Sequence, residues 1–340
     1  MNGRTKIVAA VLCVLICALT LTGCSNNEKA IGTCCGYDVL YEELRFVTMT
    51  YKTLLDTEYG DGNAENGTIW DDVETAEQYR AELEEAVWST LRSNYTTLVA
   101  CYENLLTVED LKSDVIQDAV DELYDSMITK DYDGDEKAFK EDLEASYMTE
   151  NLFRFFLATD QMKNELYYVL TQDLATIVSD SGEFYDWLKD GNCVYVQHIF
   201  IGNDEGDDPA ENLALAQEVQ QSIANGSKTI DDYVGSAKYN EDTSNAAPYY
   251  LVRDLYDETL VEAGLQLENA GDVSPVISTE NGYYVMVRME DSNEKLLSNV
   301  PNLLYYYQWT KVGEYIDTFA DDVSIELNDY GKSIDLLEIK

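Results

Sequence analysis

Apolar residues recur at intervals of three, four and seven over much of the first 177 positions, which is the periodicity of amphipathic α-helices. One such face comprises Leu83, Val87, Leu91, Leu98 and Tyr102. All four prolines lie beyond residue 208, so no proline interrupts a helix before that point. We therefore predict helices over 38–56, along the 83–102 face, from 107 onward, over 135–145 and over 150–177.

Capping residues predict where some of these helices begin. Asp38 is expected to cap the first helix, and Thr107-Val108-Glu109-Asp110 has the form of a capping box. The helix after this box is expected to bury one stripe, which comprises Leu111, Val115, Ala119 and Leu123.

The pattern changes near Gly191. Residues 194–201 are β-branched and aromatic, which predicts a strand. Asp208-Pro209 then predicts the start of a helix, and a second helix is expected over 258–267. Asn281-Gly282 separates the apolar runs 273–277 and 283–288, which indicates a hairpin. A long helix over 303–319 and a strand over 323–327 follow.

The N-terminal segment predicts export. Arg4 and Lys6 precede an uncharged apolar run, Ile7 to Leu19, which is short for a membrane span and is typical of a signal peptide. The ending Leu21-Thr22-Gly23-Cys24 resembles the bacterial lipobox. That resemblance implies cleavage before Cys24, a diacylglycerol on its thiol and attachment to the bacterial cell membrane; an uncleaved anchor is the alternative.

Charge excludes several classes of partner. The chain has 66 acidic and 22 Lys+Arg residues, a formal net charge of −44. Such a chain repels phosphate backbones, so we expect no nucleic-acid partner and no polybasic contact with a membrane surface. At 45% hydrophobic residues it can still bury a core, and its length suggests about two domains.

Histidine and cysteine usage argue against a metal centre. The single histidine, His198, excludes multi-histidine metal sites. Four cysteines remain after the N-terminal segment, and their spacing fits no zinc pattern. Export permits disulfides, but three pairings are possible and the sequence does not choose among Cys34, Cys35, Cys101 and Cys193.

Four segments between 197 and 284 resemble a parvulin-type peptidyl-prolyl isomerase domain. Gln197-His198-Ile199-Phe200-Ile201 is similar to the family's first strand, which carries an active-site histidine. Tyr239-Asn240-Glu241-Asp242 is similar to a segment that ends in an active-site Asp or Cys. Gly271 to Val276 resembles the stretch before the family's hairpin, and Asn281-Gly282-Tyr283-Tyr284 lies where the family has a Phe-Gly-Tyr-His type motif.

The resemblance implies a non-covalent isomerase site without a cofactor or a metal. Its catalytic residues would be His198, Asp242 and Tyr284, and its substrate-binding residues Tyr256, Leu260 and Asn281. Tyr284 replaces the family's second histidine, and Asn245-Ala246-Ala247-Pro248-Tyr249 replaces its glycine-rich segment.

The helical part resembles the chaperone segment of SurA and PrsA-like foldases over Gly134 to Arg154. In those proteins an isomerase domain is inserted between an N-terminal helical region and a returning C-terminal helix. The fold class that this implies is α+β: a mostly helical N/C chaperone lobe with an inserted parvulin-like domain, a four-stranded antiparallel sheet with flanking helices. The expected domains are a signal peptide over 1–23, a lipid-anchored tether over 24–36, a helical region over 37–190, the isomerase domain over 191–292 and a C-terminal helix and strand over 293–340.

The expected function is that of a lipid-anchored extracytoplasmic foldase. Its partners would be unfolded or partly folded exported polypeptides and their X-Pro segments, with the membrane contacted through Cys24. A catalytically weak or inactive holdase is the alternative, because Tyr284 replaces a histidine. A solute-binding lipoprotein is disfavoured, because it would need two α/β lobes.

Overall fold

The computed structural model of the protein describes residues 29–60, 67–203, 208–243 and 246–340. The predicted signal peptide, Cys24 and Asn245 lie outside the described residues. The chain forms two compact units. One comprises the described residues up to Asp173 together with Val312–Lys340, and the other comprises the described residues of Leu174–Lys311.

Ten α-helices and seven strands are described. The helices are α1 Tyr41–Tyr59, α2 Val73–Glu103, α3 Val108–Leu111, α4 Asp114–Asp131, α5 Glu136–Ala145, α6 Glu150–Tyr168, α7 Ser181–Trp187, α8 Pro209–Ala224, α9 Glu258–Leu265 and α10 Asn293–Asp317. The strands are β1 Ala30–Cys34, β2 Tyr37–Leu40, β3 Cys193–Gly202, β4 Tyr249–Val252, β5 Ile277–Thr279, β6 Gly282–Arg288 and β7 Glu326–Leu327.

The first unit is a helical lobe with a small sheet. Helix α2 packs against α1 and α6, and α4 packs against α6. The rings of Tyr124, Phe139 and Phe153 contact one another in its core. Strands β1, β2 and β7 form an antiparallel sheet in the order β2-β1-β7, so the C-terminal segment completes the lobe.

The predicted helix start at Asp38 is wrong. Asp38 lies in β2 and pairs with Thr33 of β1, while Leu40 precedes α1 without a side-chain capping bond. Tyr37 and Val39 are buried on either side of the exposed Asp38, which is the alternation of a strand. The chain turns at Cys35-Gly36, where both residues have positive φ, as a tight hairpin requires.

The predicted stripe after the Thr107 capping box is right at Leu111, which is buried, and wrong at Val115 and Leu123, which are exposed. The box itself is present, but α3 is only one turn long and Ser113 caps a new helix, α4. This restart rotates the buried face, so Val115 is 72% exposed. The side chains that α4 buries are Ile116, Val120, Tyr124 and Ile128.

Other elements differ from the prediction mainly in their ends. Asp208 caps α8, as expected. Asp135 caps α5, and Gly226 follows α8 with a positive φ. Helix α6 gives way to a π-helical turn over Val169–Asp173, before the predicted end. Helix α10 begins at Asn293 and contains Pro301, whereas β7 has only two residues.

The second unit contains a four-stranded antiparallel sheet in the order β4-β3-β6-β5. One face of the sheet packs against α9 through Val194, Val196, Leu251 and Met286. On the other face, Ile199, Ile201 and Val285 pack against α8, and Tyr250 and Val252 pack with α7 and α10.

The predicted fold class is confirmed. Both ends of the chain form a mostly helical lobe, and the residues between them in sequence form an inserted α+β unit with a four-stranded antiparallel sheet. The units change at Asp173/Leu174 and Lys311/Val312; the domain boundaries at 190/191 and 292/293 stay predictions. Within the described part of the chain, no helix is both long and apolar enough to cross a membrane.

Candidate functional site

Register in the second unit's sheet brings the predicted catalytic residues to one face. Strands β3 and β6 are antiparallel, with His198 opposite Met286 and Phe200 opposite Tyr284. Alternate residues of a strand project to the same face, so His198 and Phe200 share the face of Val194 and Val196, which packs against α9.

His198 is a buried, neutral imidazole beside a carboxylate. It is 4% exposed, and its Nε2 lies 3.2 Å from Oδ2 of Asp242. This approach lacks the geometry of a hydrogen bond, and Nδ1 has no hydrogen-bond partner among the described residues. Burial lowers the pKa of His198 below its ordinary value, and the carboxylate of Asp242 opposes that change without cancelling it. The ring is therefore uncharged at neutral pH.

Asn240 holds the segment that carries Asp242. This side chain is fully buried; its Oδ1 accepts from the backbone N–H of Phe200 at 2.9 Å. Its Nδ2 donates to the carbonyls of Val234 and Asp242 at 2.8 and 3.2 Å. The Asn240 amide thus links the backbone of Asp242 to β3 through Phe200 and to the carbonyl of Val234. Sequence reasoning missed Asn240 because it quoted the residue only as part of a motif.

Glu241 adds two more connections between this segment and β3. Its backbone N–H donates to the carbonyl of Phe200 at 2.8 Å, and its Oε1 accepts from the N–H of Gly202 at 2.7 Å. The segment therefore satisfies backbone groups of β3 beyond the point where β4 stops pairing with it. Glu241 was quoted from the sequence only within a motif and was given no role.

Tyr284 stands next to the imidazole. Its ring centroid lies 5.4 Å from that of His198 and 4.6 Å from that of Phe200. Burial raises the pKa of Tyr284, and the negative charges of Asp242 and Asp257 raise it further. The phenol therefore keeps its proton at neutral pH and can donate a hydrogen bond.

Tyr249, Tyr256 and Leu260 continue the cluster. The ring of Tyr249 meets that of His198 edge-on at 5.5 Å and lies 5.5 Å from that of Tyr256. Leu260, on α9, packs in the apolar cluster that includes Tyr249 and Tyr284. Tyr256 is 43% exposed, so an aromatic surface leads from the imidazole towards solvent. Sequence reasoning missed Tyr249, which it placed only in a replaced loop and not in a strand.

Asn281 lies apart from the aromatic cluster, in the turn between β5 and β6. Its carbonyl accepts from the N–H of Asn203 at 2.9 Å. Gly282, next in the chain, has φ +148, and a Cβ there would lie 2.3 Å from the carbonyl oxygen of Ile201. Glycine at position 282 therefore permits the close approach of β6 to β3. The structure does not bring Asn281 to His198.

The arrangement suits rotation about an amide bond rather than covalent chemistry. A twisted X-Pro amide has lost its conjugation, and a site that binds this form better than the planar forms accelerates the rotation. Aromatic and apolar side chains can hold a proline ring, while the Tyr284 hydroxyl and an imidazole N–H are hydrogen-bond donors. Among the described residues, no group of three or more His, Cys, Asp or Glu side chains is placed to hold a metal ion.

A second concave region lies in the first unit. A cavity of about 560 Å³ is lined in part by Cys34, Cys35 and Ser324. All four cysteines of the described chain are free thiols. Burial raises the pKa of Cys101 to about 12, so that thiol is not a nucleophile at neutral pH. None of the residues that carry the parvulin-type motifs lines this cavity, and the candidate site is the His198 cluster.

Comparison with known proteins points to one group. No protein-family model matches the chain. A foldase protein PrsA of Clostridium botulinum is 24% identical over 168 residues, which is 46% of each of the two chains. The chain thus spans about half the length of the curated relative it matches, and in sequence it is similar to this PrsA foldase.

Solved structures with detectable likeness carry similar names. PrsA from Streptococcus pneumoniae is 14% identical, with 76% of this chain and 91% of that chain covered at a TM-score of 0.40. PrsA from Bacillus subtilis is 17% identical, with 75% and 90% covered at a TM-score of 0.28. A SurA-like chaperone from Campylobacter jejuni is 17% identical, with 88% and 100% covered at a TM-score of 0.25.

Proposed function

We propose that this chain, which is similar to the PrsA/SurA-like foldases, is an extracytoplasmic foldase that binds unfolded exported polypeptides and catalyses cis–trans isomerisation of their X-Pro bonds. The observation that carries the proposal is the placement of the only histidine. Within the inserted unit, Nε2 of His198 lies 3.2 Å from Oδ2 of Asp242, and the ring centroid of His198 lies 5.4 Å from that of Tyr284. No cofactor and no metal takes part.

Each residue has a distinct role in this proposal. Leu260, Tyr256 and Tyr249 hold the proline ring by apolar and aromatic contact. Tyr284 donates its phenolic hydrogen bond to the twisted amide, and His198 positions Tyr284 through ring contact and through the shared neighbour Asp242. Stronger binding of the twisted amide than of either planar form lowers a barrier of about 18–20 kcal/mol.

An isomerisation assay on an X-Pro peptide tests the catalytic part. The wild type is expected to accelerate exchange above the buffer rate. Tyr284→Phe removes the donor, and we expect kcat/KM to fall by about tenfold or more. His198→Ala is expected to reduce it as well. Tyr168→Phe, at an exposed tyrosine of the first unit, is the matched control and should behave as wild type. A wild-type rate equal to that of buffer overturns the catalytic proposal.

A holdase without catalysis is the second candidate, and Tyr284 at the position of the second family histidine favours it. Suppression of aggregation of an unfolded client, with no acceleration of X-Pro exchange, would establish this candidate. No suppression at excess protein counts against any chaperone role for the chain.

Attachment to the membrane rests on the lipobox-like segment that ends at Cys24, which lies outside the described residues. Metabolic labelling with a radioactive fatty acid should mark the wild type and leave Cys24→Ser unlabelled. An unlabelled wild type in the membrane fraction would instead indicate an uncleaved anchor.

A further inference from the structure

Two adjacent thiols line the cavity of the first unit. Cys34 is the last residue of β1, and Cys35 is the next residue in the chain, at the turn that leads into β2. Both are among the residues that line the cavity of about 560 Å³. The isomerase site lies in the second unit and gives these residues no role. The cavity therefore contains a pair of sulfur nucleophiles outside the site already described.

The backbone of the turn places the two cysteine side chains on the same side of the chain. In a regular strand, the side chains of neighbouring residues project to opposite faces. Cys34 belongs to the strand, whereas Cys35 has φ +42. A φ of about −120°, as in a strand, would put the Cβ of Cys35 across the connecting peptide plane from that of Cys34, and the positive φ carries it to the same side. The turn thus brings together two thiols that a regular strand would separate.

The two thiols differ in accessibility and in acidity. Cys34 is 2% exposed, whereas Cys35 is partly exposed at the turn. A hydrogen bond between the two thiols lowers the pKa of Cys34 and raises that of Cys35. Cys35 can therefore meet a reagent from solvent, while the thiolate of its buried neighbour is suited to attack the product.

The lining of the cavity is acidic. Glu103, Asp322 and Glu326 line it together with the two cysteines, and none of the described lining residues is basic. A negatively charged reagent is repelled by such a lining, whereas a positively charged one is attracted.

We infer that Cys34 and Cys35 form a reversible redox site, which a small cationic disulfide oxidises to a disulfide between the two neighbours. The inference does not depend on the isomerase proposal, because it concerns the other unit. The Cα atoms of adjacent residues are about 3.8 Å apart, which is closer than in most disulfides. The bond between them is therefore strained and readily reduced.

The reaction has two exchange steps. The sulfur of Cys35 attacks the S–S bond of the reagent, forms a mixed disulfide and releases the first thiol. The thiolate of Cys34 then attacks the sulfur of Cys35 and releases the second thiol. Overall, the cysteines lose their two protons and two electrons, a new S–S bond joins them, and the reagent leaves as two thiols that carry those protons.

Oxidation of the full chain by cystamine, a small cationic disulfide, tests the site. Trypsin cleaves after Lys29 and Arg45, so both cysteines fall in the peptide 30–45, which contains no other cysteine. After an acid quench, mass spectrometry should show this peptide lighter by two hydrogen atoms, and dithiothreitol should restore its mass. A peptide that stays reduced, keeps a stable adduct of the reagent or is linked to the peptide of Cys101 overturns the inference.

Single substitutions separate the two steps. Cys34→Ser should accumulate the mixed disulfide on Cys35, because the second nucleophile is missing. Cys35→Ser should take up the reagent in this peptide about tenfold more slowly than the wild type, because Cys34 is buried. Cys193→Ser removes a partly buried thiol of the second unit and is the matched control, in which the bridge should form as in the wild type. Uptake by Cys35→Ser at the wild-type rate contradicts this order of steps.

Unfolding provides a test that needs no substitution. In concentrated urea the turn is lost, and a cysteine rarely adopts positive φ in an unfolded chain. We therefore expect mixed disulfides on the two cysteines to replace most of the bridge. Equal yields of the bridge in the folded and unfolded chain would mean that the fold does not bring the thiols together, and the inference would be wrong.

Reagent charge tests the acidic lining. Each oxidation rate is divided by the rate of the same reagent with free cysteine. Cystamine should then oxidise the pair about tenfold faster than the anionic oxidised glutathione at low salt, and the advantage should shrink at high salt. Glu103→Gln should reduce this ratio, whereas Glu85→Gln, at an exposed position of the same helix α2, should not. Equal ratios in the two variants would show that the charge of the whole chain selects the reagent, which overturns selection by the cavity.

Discussion

At the scale of single residues, the environment of His198 determines what the site can do. A charged imidazole in this apolar, aromatic setting would be poorly solvated, so the neutral form is favoured. Neutral imidazole has one donor and one acceptor nitrogen, and which nitrogen carries the proton follows from its neighbours. The carboxylate 3.2 Å from Nε2 favours the proton on that nitrogen.

The titration of His198 is directly observable because the chain has a single histidine. In protein labelled with 15N-histidine we expect one imidazole to titrate below the ordinary value of 6.5, because burial outweighs the charge of Asp242. Asp242→Asn should lower the pKa further, since it removes the charge that opposes burial. Asp180→Asn, at the N-cap of α7, should leave it unchanged.

The lowered pKa of His198 determines how its titration changes the stability of the folded protein with pH. Between the folded-state pKa and 6.5 the unfolded chain binds more protons, so the contribution of His198 to stability is complete above 6.5 and is lost as pH falls through the folded-state value. A titration at or above 6.5 would contradict the burial that the structure assigns to this ring.

The sequence predicted part of the site because chemically distinctive residues stand in a recognisable order. His198, Asp242 and Tyr284 were named from the motifs, and Tyr256 and Leu260 from the family resemblance. The structure brings these five residues to one cluster. Asn240 and Tyr249 were missed, since their roles depend on pairing between segments about 40 to 50 residues apart. Such pairing leaves no periodic pattern in the local sequence from which it could be predicted. Asn281 was named from the motif, but its position is set by the turn.

At the scale of elements, the segment Asn240 to Asp242 behaves as a short extension of the sheet. It continues beside β3 where β4 ends, and it carries a catalytic candidate at its last residue. The position of Asp242 thus depends on three hydrogen bonds between this segment and β3, and on the bonds from the Asn240 amide to the carbonyls of Val234 and Asp242, rather than on a regular strand.

Asn240→Ala tests this connection. The change leaves the N–H of Phe200 and the carbonyl of Val234 without their partners in a buried place, so we expect the free energy of unfolding of the second unit to fall by about 1–3 kcal/mol. Isomerase activity should fall too, because Asp242 loses its support. Denaturant unfolding, followed by tyrosine and tryptophan fluorescence, measures the first effect.

Asn269→Ala is the control for this change, because Asn269 is an exposed asparagine of the same unit. Equal stability of Asn240→Ala and Asn269→Ala would mean that the three bonds of Asn240 contribute nothing net.

Predicting elements from the sequence worked where periodicity was long and failed where it was short. The α2 face and strand β3 extend over many residues, and both were predicted. The two errors, at Asp38 and after Thr107, arise from cap-like residues that tertiary structure uses otherwise. Asp38 is the exposed position of a strand, and the box at Thr107 opens a single turn before Ser113 starts the next helix. The four-residue strand β2, which pairs with β1, leaves no signal strong enough to oppose a cap.

At the scale of the whole molecule, acidity has two different physical settings. Most of the acidic residues that the structure describes are at least partly exposed to water, where they favour solubility and attract basic segments. Glu42 and Glu43, in contrast, are buried at the start of α1, in the helical lobe. Buried carboxyls make the stability of that lobe depend on pH in a way that surface carboxylates do not.

Glu43 is the clearer case of the two. Its carboxyl is 1% exposed and accepts hydrogen bonds from Tyr95 at 2.8 Å and Asn94 at 3.2 Å. Burial raises its pKa to about 7, while those hydrogen bonds act in the opposite direction and Glu42 adds to the rise. The carboxyl is therefore protonated in the folded lobe over a range in which the unfolded chain is ionised.

The helical lobe should accordingly lose stability as pH rises from about 4.5 to 7. In this range the folded state binds more protons than the unfolded state, so the free energy of unfolding decreases with pH, by about 3 kcal/mol for the change from 4.5 to about 7. Glu43→Gln keeps the shape and an acceptor for Tyr95 but cannot ionise, so its curve should lack this decrease. Urea unfolding across the pH range measures the difference between the two curves.

Glu85→Gln, at an exposed glutamate of α2, should retain the wild-type slope. Parallel curves for the wild type and Glu43→Gln would show that Glu43 ionises alike in the folded and unfolded chain, and the buried carboxyl would then have no part in the pH response of the lobe.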